Sequence, residues 1–350
     1  MKLSIVTSTG RQWARTRWNT HDSGAAFDKK KTTFLTEPMQ HFIAQQTLCV
    51  IAGPGLQHEL CGTLTFGLPG FAHALDSHTC LLHLDQQAAS SCLISALDQQ
   101  LREGQDIRLG LFFISHPTRE RLCVQGSAHL LPGRRGLFSF LQTRPTTTLQ
   151  LNVHEAFFHC AKYIKTHVPG LTVPVNSSTV STELLPLGAQ TLLTPVIHHF
   201  IRQQSLCFLC TVNQEGQCAI NHRGGARGFL VPLHPYPGAP NGIVLLPDYE
   251  GNGAFEAIGN ILDTRLATLL IPDYTQQCAV CISGHATIMD IAEVPEDMVQ
   301  LLAGAKRVIK LSVQHVEVQQ GHWSQALAHE QKRAQQLWAQ RAADTTACKL

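Results

Sequence analysis

The octamer Phe42-Ile-Ala-Gln-Gln-Thr-Leu-Cys49 returns as Phe200-Ile-Arg-Gln-Gln-Ser-Leu-Cys207, at an offset of 158 residues (200 − 42). The same offset continues on both sides of the octamer. It pairs His41 with His199, Gly70-Phe71 with Gly228-Phe229, Cys123 with Cys281 and Gly126 with Gly284. Because one offset holds from residue 41 to residue 126, we interpret the chain as two copies of one structural unit. A chain of 350 residues is long enough for each copy to bury its own core.

Each copy begins with a short predicted helix, Met39–Gln45 in the first and Pro195–Gln203 in the second. Apolar, β-rich runs follow, and Gln214-Glu-Gly216 marks a turn that makes a hairpin in the second copy. The predicted strands are Leu48–Ala52, Thr79–Leu84, Ile107–Ile114 and Leu122–Leu130, then Leu206–Val212, Gln217–Asn221, Gly242–Leu246, Ala267–Ile271 and Ala279–Met289. Several short strands with a few helices per copy predict a small antiparallel barrel.

The chain divides into five predicted segments. They are a solvated N-terminal tail (1–37), the first barrel (38–170), a linker rich in Ser, Thr and Pro (171–194), the second barrel (195–320) and a C-terminal helix (321–350). We expect a helix around Val153–His167 at the end of the first barrel. In the last segment Leu327, Ala334 and Trp338 share one helical side, which we expect to pack on the core, with homodimer formation as an optional further step.

Charge and cysteine content exclude some classes of function. The formal net charge is +2, from 27 basic and 25 acidic residues, so we expect neither a nucleic-acid nor a membrane partner. Most of the 12 cysteines lie in apolar runs, which favours reduced thiols and a cytoplasmic location. Cys207/Cys210 and Cys278/Cys281 have zinc-ribbon spacing, but residues i and i+3 of a strand face opposite ways, so we expect no metal.

The segment Asn221-His-Arg-Gly-Gly-Ala-Arg-Gly-Phe229 carries the chemistry that suits a phosphate. Glycines allow close approach of a ligand to backbone N–H groups, and the guanidinium groups of Arg223 and Arg227 match phosphate oxygens. The alternative is an ordinary glycine-rich turn that carries two exposed arginines.

A second candidate segment runs from Leu246 to Leu262, where a strand ends and a helix is predicted to begin near Gly253. The N-terminus of a helix offers unpaired N–H donors to an anion, and Asn252 is the expected N-cap. Alternatively, Asn252 and Asn260 only cap the two ends of a short helix.

These segments resemble the pyridoxamine 5'-phosphate oxidase-like, FMN-binding split-barrel proteins, over about residues 38–320. The resemblance is carried by His222-Arg-Gly-Gly225, Gly228-Phe229, Leu246-Pro-Asp248, Gly251-Asn252 and Gly259-Asn-Ile-Leu262. In the first copy, Gly67-Leu-Pro-Gly-Phe71 and Phe158-His-Cys-Ala-Lys-Tyr-Ile164 resemble segments of the tandem members. The chain departs from the family pattern at Ala219, Asn221, His159 and Ala161.

The resemblance implies a mainly β fold with flanking helices, in which two tandem split β-barrels form an intramolecular pseudo-dimer with FMN at their interface. The second copy would hold most of the cofactor, since the first has Thr65 and Pro69 at the positions of Arg223 and Arg227. The cofactor-binding residues implied are His222, Arg223, Gly224, Gly225, Arg227, Asn252 and Asn260 for the phosphate side, and Gly70, Phe71, Lys162 and Tyr163 for the ring side.

The expected function is that of an FMN-dependent oxidoreductase that transfers a hydride at flavin N5 and acts on an unidentified small molecule. The sequence predicts no catalytic residue, because no nucleophile motif or acid–base pair stands out. Two alternatives remain open at this point: a non-catalytic flavin-binding module, and a haem-binding split barrel, which the 19 histidines keep in view.

Overall fold

The computed structural model describes residues 8–131, 147–175, 185 and 188–347. Within the predicted linker, residues 176–184, 186 and 187 lie outside the described residues. The helices are α1 (Thr9–Arg17), α2 (His21–Asp28), α3 (Glu37–Ala44), α4 (Gln86–Ala89), α5 (Cys92–Arg102), α6 (Pro195–Gln203), α7 (Glu256–Thr264), α8 (Glu296–Val299) and α9 (Ser324–Ala347).

The strands form two sheets with the same internal order. The first unit contains β1 (Leu48–Pro54), β2 (Leu60–Phe66), β3 (Ala72–Ala74), β4 (Thr79–His83), β5 (Arg108–Ser115), β6 (Glu120–Leu131) and β7 (Thr148–His159). The second contains β8 (Gly188–Gln190), β9 (Leu206–Val212), β10 (Cys218–Gly224), β11 (Val231–Leu233), β12 (Ile243–Asp248), β13 (Leu266–Asp273), β14 (Cys278–Asp290) and β15 (Arg307–Gln320).

The order β2-β1-β5-β6-β7-β4-β3 in the first sheet repeats as β10-β9-β13-β14-β15-β12-β11 in the second. All of these pairs are antiparallel. The strand register therefore confirms two copies of one split-barrel unit.

The repeated glycines Gly126 and Gly284 explain a β-bulge that both units contain. Each lies at a β-bulge, between β6 and β7 in the first unit and between β14 and β15 in the second. A Cβ atom at Gly126 would lie 1.9 Å from the Asn152 carbonyl oxygen, and one at Gly284 would lie 2.0 Å from that of Ser312. Only glycine permits this approach of the two backbones.

The two units pack face to face, as the pseudo-dimer prediction requires. One buried core cluster contains Leu64 and Phe112 of the first unit together with Phe208 and Leu270 of the second. The rings of Phe112 and Phe208 lie 5.8 Å apart at 65°, close to an edge-to-face arrangement. Each unit also keeps a separate core of its own.

The prediction of a helix around Val153–His167 is wrong. Residues 148–159 form β7, in which Leu149, Leu151 and Val153 are buried in alternation before the bulge. This period of two is the signature of a strand with one buried face. The residues after His159 form a loop instead of a helix.

The expectation of a solvated N-terminal tail is wrong for residues 9–31, which pack on both units. Arg11, Arg15 and Lys31 are buried. The Lys31 ammonium lies 2.8 Å from Glu155 and 2.6 Å from Glu256, and Arg15 lies 2.7 Å from Asp28. The basic residues therefore find carboxylate partners, two of them more than a hundred residues away, instead of remaining in solvent.

The C-terminal helix packs on the body of the chain, and its apolar stripe is used there. Leu327 and Ala334 are buried, and the Trp338 ring stacks on His167 with centroids 4.2 Å apart. Within the described ranges, no helix combines the length and the apolar character that crossing a bilayer needs.

Candidate functional site

A cleft lies between the two units, at the interface where the resemblance places a cofactor. The space within it is about 900 Å³ when the open solvent at its mouth is included. We call it the interface cleft. The first unit contributes Arg121 and the loop after β7, and the second contributes the end of β10, the loop 247–255, the start of α7 and Arg307. Phe27 of the N-terminal segment completes the wall.

Two arginines of the cleft share one carboxylate. Asp248, at the end of β12, is buried and accepts a hydrogen bond on Oδ1 from Arg223 Nη1 at 2.6 Å. Its Oδ2 accepts from Arg307 Nε at 2.9 Å and from Arg307 Nη2 at 2.7 Å. Two cations against one anion leave this part of the cleft with excess positive charge.

Three successive residues of β10 carry polar atoms that are buried but unsatisfied within the described chain. They are Asn221 Oδ1, both ring nitrogens of His222, and Arg223 Nε. Their residues all line the interface cleft. Each such atom costs about 1–3 kcal/mol if it stays without a partner, and native proteins usually satisfy it with water or a ligand.

The histidines around the cleft are neutral at physiological pH. Burial lowers the pKa of His159 to about 4, and burial followed by the nearby His116, Arg121 and Arg223 lowers the pKa of His222 well below its usual range. His159 Nε2 lies 3.0 Å from the Cys123 sulfur. A neutral imidazole keeps one donor and one acceptor, so these rings can hydrogen-bond a ligand without adding charge.

The mouth of the cleft carries tyrosine rings. Tyr163, in the loop after β7, has a positive φ of 63° and its hydroxyl donates to the Glu250 carbonyl at 2.8 Å. The Tyr163 and Tyr249 rings lie 5.8 Å apart. Lys162 is exposed beside them, so the structure brings Lys162 and Tyr163 to the cleft with His222, Arg223 and Gly224.

Arg227 and Gly225 lie elsewhere. Arg227 lines a neighbouring pocket, where its Nη1 donates to the Gln203 side chain at 3.3 Å. The Gly225 N–H donates to the Ser205 carbonyl at 3.0 Å, so it is already engaged. The loop turns away from the cleft at Gly225 because it packs on α6, which directs Arg227 to the other side.

The predictions for Asn252 and Asn260 as helix caps are wrong. Helix α7 begins at Glu256, with Phe255 at its N-cap position in a left-handed conformation. Asn252 lines the cleft, but its Oδ1 accepts from the Ala254 N–H at 3.2 Å. Asn260 is buried inside α7 and donates to Thr211 Oγ1 at 3.2 Å. Glu256, the first residue of α7, carries a carboxylate 2.6 Å from Lys31 Nζ, so the helix start proposed for an anion already bears an acidic side chain.

Gly70 and Phe71 lie in the first unit's own core region. Gly70 has φ 94° and Phe71 is buried, as Gly228 with φ 80° and Phe229 are in the second unit. The pair is therefore a structural turn that both units keep. Of the four residues, only Phe229 lines the interface cleft.

Arg121, Asp248, Arg307 and Phe27 belong to the site, and reasoning from the sequence did not select them. Asp248 stood inside a quoted motif, but nothing in the sequence paired it with Arg307, which is 59 residues away. Phe27 was assigned to a tail. Only the strand register of β12 and β15, which places Asp248 opposite Arg307, brings the ion pair together.

The cysteine pairs point to different cores, as strand geometry predicts. Cys207 and Cys278 pack in the core of the second unit, whereas Cys210 and Cys281 pack in the core between the units. The cysteines in the described part of the chain carry free thiols. Among the described residues, no group of three His, Cys, Asp or Glu side chains is arranged to hold a metal ion.

No protein-family model and no curated protein matches the chain. Among solved structures it is similar to a variant of HupZ from Group A Streptococcus, with 13% identity and a TM-score of 0.28 over 36% of this chain and 99% of that chain. A putative pyridoxamine 5'-phosphate oxidase from Lactobacillus delbrueckii gives 15% identity and a TM-score of 0.27 over 37% and 98%.

HutZ from Vibrio cholerae, described as a haem storage protein, gives 12% identity and a TM-score of 0.24 over 37% of this chain and 95% of that chain. Each of these proteins is similar to about one third of the chain. The predicted fold, two tandem antiparallel β units in one chain, is confirmed. The strand order of the two sheets carries that statement.

Proposed function

We propose that the interface cleft binds FMN and that the protein uses it for redox chemistry on a small molecule. The observation that carries the proposal is the set of buried polar atoms on Asn221, His222 and Arg223, which the described chain leaves without partners at the wall of the cleft. A ligand with hydrogen-bonding edges would supply the missing partners.

The charge of the cleft favours an anionic group. Arg121, Lys162, Arg223 and Arg307 line it, and Asp248 and Glu256 are the acidic residues among the lining side chains. Glu256 is neutralised by Lys31, which approaches to 2.6 Å. Guanidinium groups form short, charge-assisted hydrogen bonds with phosphate, so Arg223 and Arg121 are the residues that would hold the FMN phosphate.

The remaining walls favour a flat aromatic group. Tyr163, Tyr249 and Phe229 line the cleft, and small-molecule sites are typically lined by aromatic and apolar side chains with a few polar groups. The residues present therefore fit an anionic aromatic cofactor. Arg227 and Gly225 drop out of the predicted binding set, and Arg121 and Arg307 enter it.

Bound FMN would supply a hydride acceptor at its N5 atom. Around it the chain would provide fixed charge from Arg121 and Arg223 and neutral hydrogen-bonding groups on His159 and His222. Phe27 and Phe255 exclude water from the inner wall. The structure adds no candidate for a catalytic residue beyond these groups.

Titration of FMN, followed by quenching of flavin fluorescence, tests the proposal. We expect wild type to bind and Arg223→Ala to bind roughly 10- to 100-fold more weakly, the range that corresponds to losing one charged hydrogen bond. Arg227→Ala is the matched control, since Arg227 lies outside the cleft, and should bind as wild type does. Unchanged flavin fluorescence with wild-type protein would contradict the proposal.

Haem is the second candidate ligand, favoured by one observation. The His222 imidazole is neutral, and within the described chain neither of its nitrogens has a hydrogen-bond partner, so one nitrogen is available to coordinate haem iron. Adding haemin to the purified protein separates the two candidates. A Soret band that disappears in His222→Ala, together with no response to FMN, would establish haem in place of flavin.

Turnover separates an enzyme from a flavin-binding module. If the FMN complex is reduced by a nicotinamide donor and reoxidised by a small acceptor faster than free FMN, the protein acts as an oxidoreductase. If complex and free FMN react at the same rates, the protein is a binding module.

A further inference from the structure

We propose that Trp18 positions Arg223 for the phosphate group of the ligand, acting through Arg307 and Asp248. The inference rests on the proposed function, because it concerns the same cleft. Trp18 belongs to the N-terminal segment and is not among the residues that line the cleft. Its proposed role is therefore to position a cleft residue, not to contact the ligand.

The first step is a stacking contact that fixes Arg307. Its guanidinium carbon lies 4.5 Å from the centroid of the Trp18 ring and 4.8 Å from that of Phe255. The two rings lie 5.1 Å apart at 49°. A guanidinium held against two aromatic faces has little rotational freedom, and cation–π attraction strengthens when the group is partly desolvated, as Arg307 is.

The second step is the orientation of the shared carboxylate. Arg307 gives both its Nε and Nη2 hydrogen bonds to Asp248 Oδ2, which leaves Oδ1 for Arg223. Arg223 therefore binds Asp248 through Nη1 alone. If Arg307 swung away, both carboxylate oxygens would become available to Arg223, and a bidentate pair would form. The charge of Arg223 would then be neutralised by Asp248, and Arg223 would no longer be available to bind an anion in the cleft.

The third step is the anchoring of Trp18 and Phe255 themselves. Phe255 has a φ of 52°, which is strained for a bulky residue, so the surroundings must hold it there. Arg15 Nη2 donates to the Ala254 carbonyl at 3.2 Å, and Thr20 Oγ1 donates to the Gly253 carbonyl at 3.3 Å. The end of α1 and the residues after it therefore hold the loop that carries Phe255 through hydrogen bonds from Arg15 and Thr20. Trp18 lies between these two residues in the sequence.

Comparing FMN with riboflavin, which has the same ring system but no phosphate, isolates phosphate recognition. Arg223→Ala should weaken FMN binding and leave riboflavin binding nearly unchanged. Trp18→Leu should lower the FMN-to-riboflavin affinity ratio by about three- to tenfold. Trp18→Phe, which keeps an aromatic face, should restore most of the ratio. Phe34→Leu is the matched control, because Phe34 belongs to the same segment, is 42% exposed and has its ring contact with His78 instead of Trp18.

A ligand-free readout separates failure of this inference from failure of the proposed function. The Arg307 Nε–H resonance should carry an upfield ring-current shift from Trp18 and Phe255, which Trp18→Leu should reduce and Phe34→Leu should leave unchanged. Titrating inorganic phosphate should move the Arg223 Nε–H resonance in wild type, and Trp18→Leu should weaken that response by a similar factor.

Each outcome then has one meaning. If wild type fails to bind FMN, the proposed function is wrong, and the phosphate titration alone decides the role of Trp18. If Trp18→Leu keeps the wild-type FMN-to-riboflavin ratio, or the wild-type response of Arg223 to phosphate, the positioning role is overturned. A stably folded Trp18→Leu protein, checked by circular dichroism, is the condition for either comparison.

Discussion

The interface between the units has two equivalent sites, and only one of them is open. At the offset of 158, Gly224 corresponds to Phe66 (224 − 66) and His116 to Tyr274 (274 − 116). On the Phe66 side, the Phe66 ring stacks on Trp323 with centroids 4.3 Å apart at 24°, and Tyr274 packs against both. We call this the filled site. On the other side Gly224 has no side chain, and the interface cleft occupies the space.

The chemistry of the two sites differs as much as their shape. Arg223 and His222 of the cleft correspond to Thr65 and Leu64 of the filled site, both completely buried. A different end of the chain covers each site. The N-terminal segment, with its charged groups, lies at the interface cleft, and Trp323 and Leu327 near the C-terminus cover the filled site. One of the two equivalent sites is therefore part of the hydrophobic core, and the other carries buried polar and charged side chains.

The largest expected effect comes from removing the aromatic ring that closes the filled site. Trp323 and Tyr163 are the first large aromatic residues after the equivalent strands β15 and β7. Trp323 is 1% exposed and Tyr163 is 50% exposed. We expect Trp323→Ala to lower the free energy of unfolding by about 3–5 kcal/mol, because it leaves a cavity in the core. Chemical denaturation monitored by circular dichroism measures this.

Tyr163→Ala is the paired variant. It loses one hydrogen bond, to the Glu250 carbonyl, and little buried area, so we expect a cost of about 1 kcal/mol. Equal losses in the two variants would show that the cleft is closed in solution and that the asymmetry between the sites is wrong.

The second effect is a dependence of stability on pH, which follows from buried histidines at the interface cleft. The filled site has other residues at the equivalent positions. Burial lowers the pKa of His116 and of His159 to about 4 and lowers that of His222 well below its usual range. Unfolded histidines take up protons near pH 6.5, so between there and about pH 4 the unfolded state binds more protons than the folded state. Stability is therefore present above about pH 6.5 and is lost as the pH falls.

The expected loss at pH 5 is about 2 kcal/mol for each such histidine, relative to pH 7.5. Denaturation curves at pH 7.5, 6 and 5 measure it. His116→Gln should make the dependence on pH shallower, because one titrating group is removed, and the exposed His41→Gln should leave it unchanged. A stability that stays flat from pH 7.5 to pH 5 would mean that these rings are solvated and that the cleft is wider than described.

The architecture could be predicted from the sequence because its signals are local or repeated. The octamer and the glycines at a constant offset identified the duplication, and apolar, β-rich runs identified most of the strands. β7 was mistaken for a helix, since its bulge at the Gln125/Gly126 position of the partner strand breaks the alternation after Val153. Bulges depend on strand pairing, which a single segment does not reveal.

The candidate site was predictable only in part, for a different reason. Arg223, His222 and Gly224 stand together in one motif, and so does the Lys162-Tyr163 pair. Arg121, Asp248 and Arg307 reach the same cleft from three strands, and Lys31 finds Glu155 and Glu256 over more than a hundred residues. Such ion pairs depend on how distant segments pack together, which the local sequence does not show. The basic N-terminal residues were therefore predicted to be solvated.

The smallest effect, and the most direct test of the comparison, comes from closing the cleft with the side chain that fills its counterpart. Gly224→Phe places the Phe66 side chain at the equivalent position. A Cβ at Gly224 would already lie 3.2 Å from the Tyr163 carbonyl oxygen and 3.3 Å from His222 Cε1, so the new ring must enter the open space.

We expect FMN and riboflavin to lose affinity together, by about tenfold, or about 1.4 kcal/mol. That pattern differs from Arg223→Ala, which affects FMN alone. Arg227→Ala again serves as the control, since Arg227 lies outside the interface cleft. If Gly224→Phe bound both flavins as wild type does, the ligand would lie outside the space that distinguishes the two interface sites.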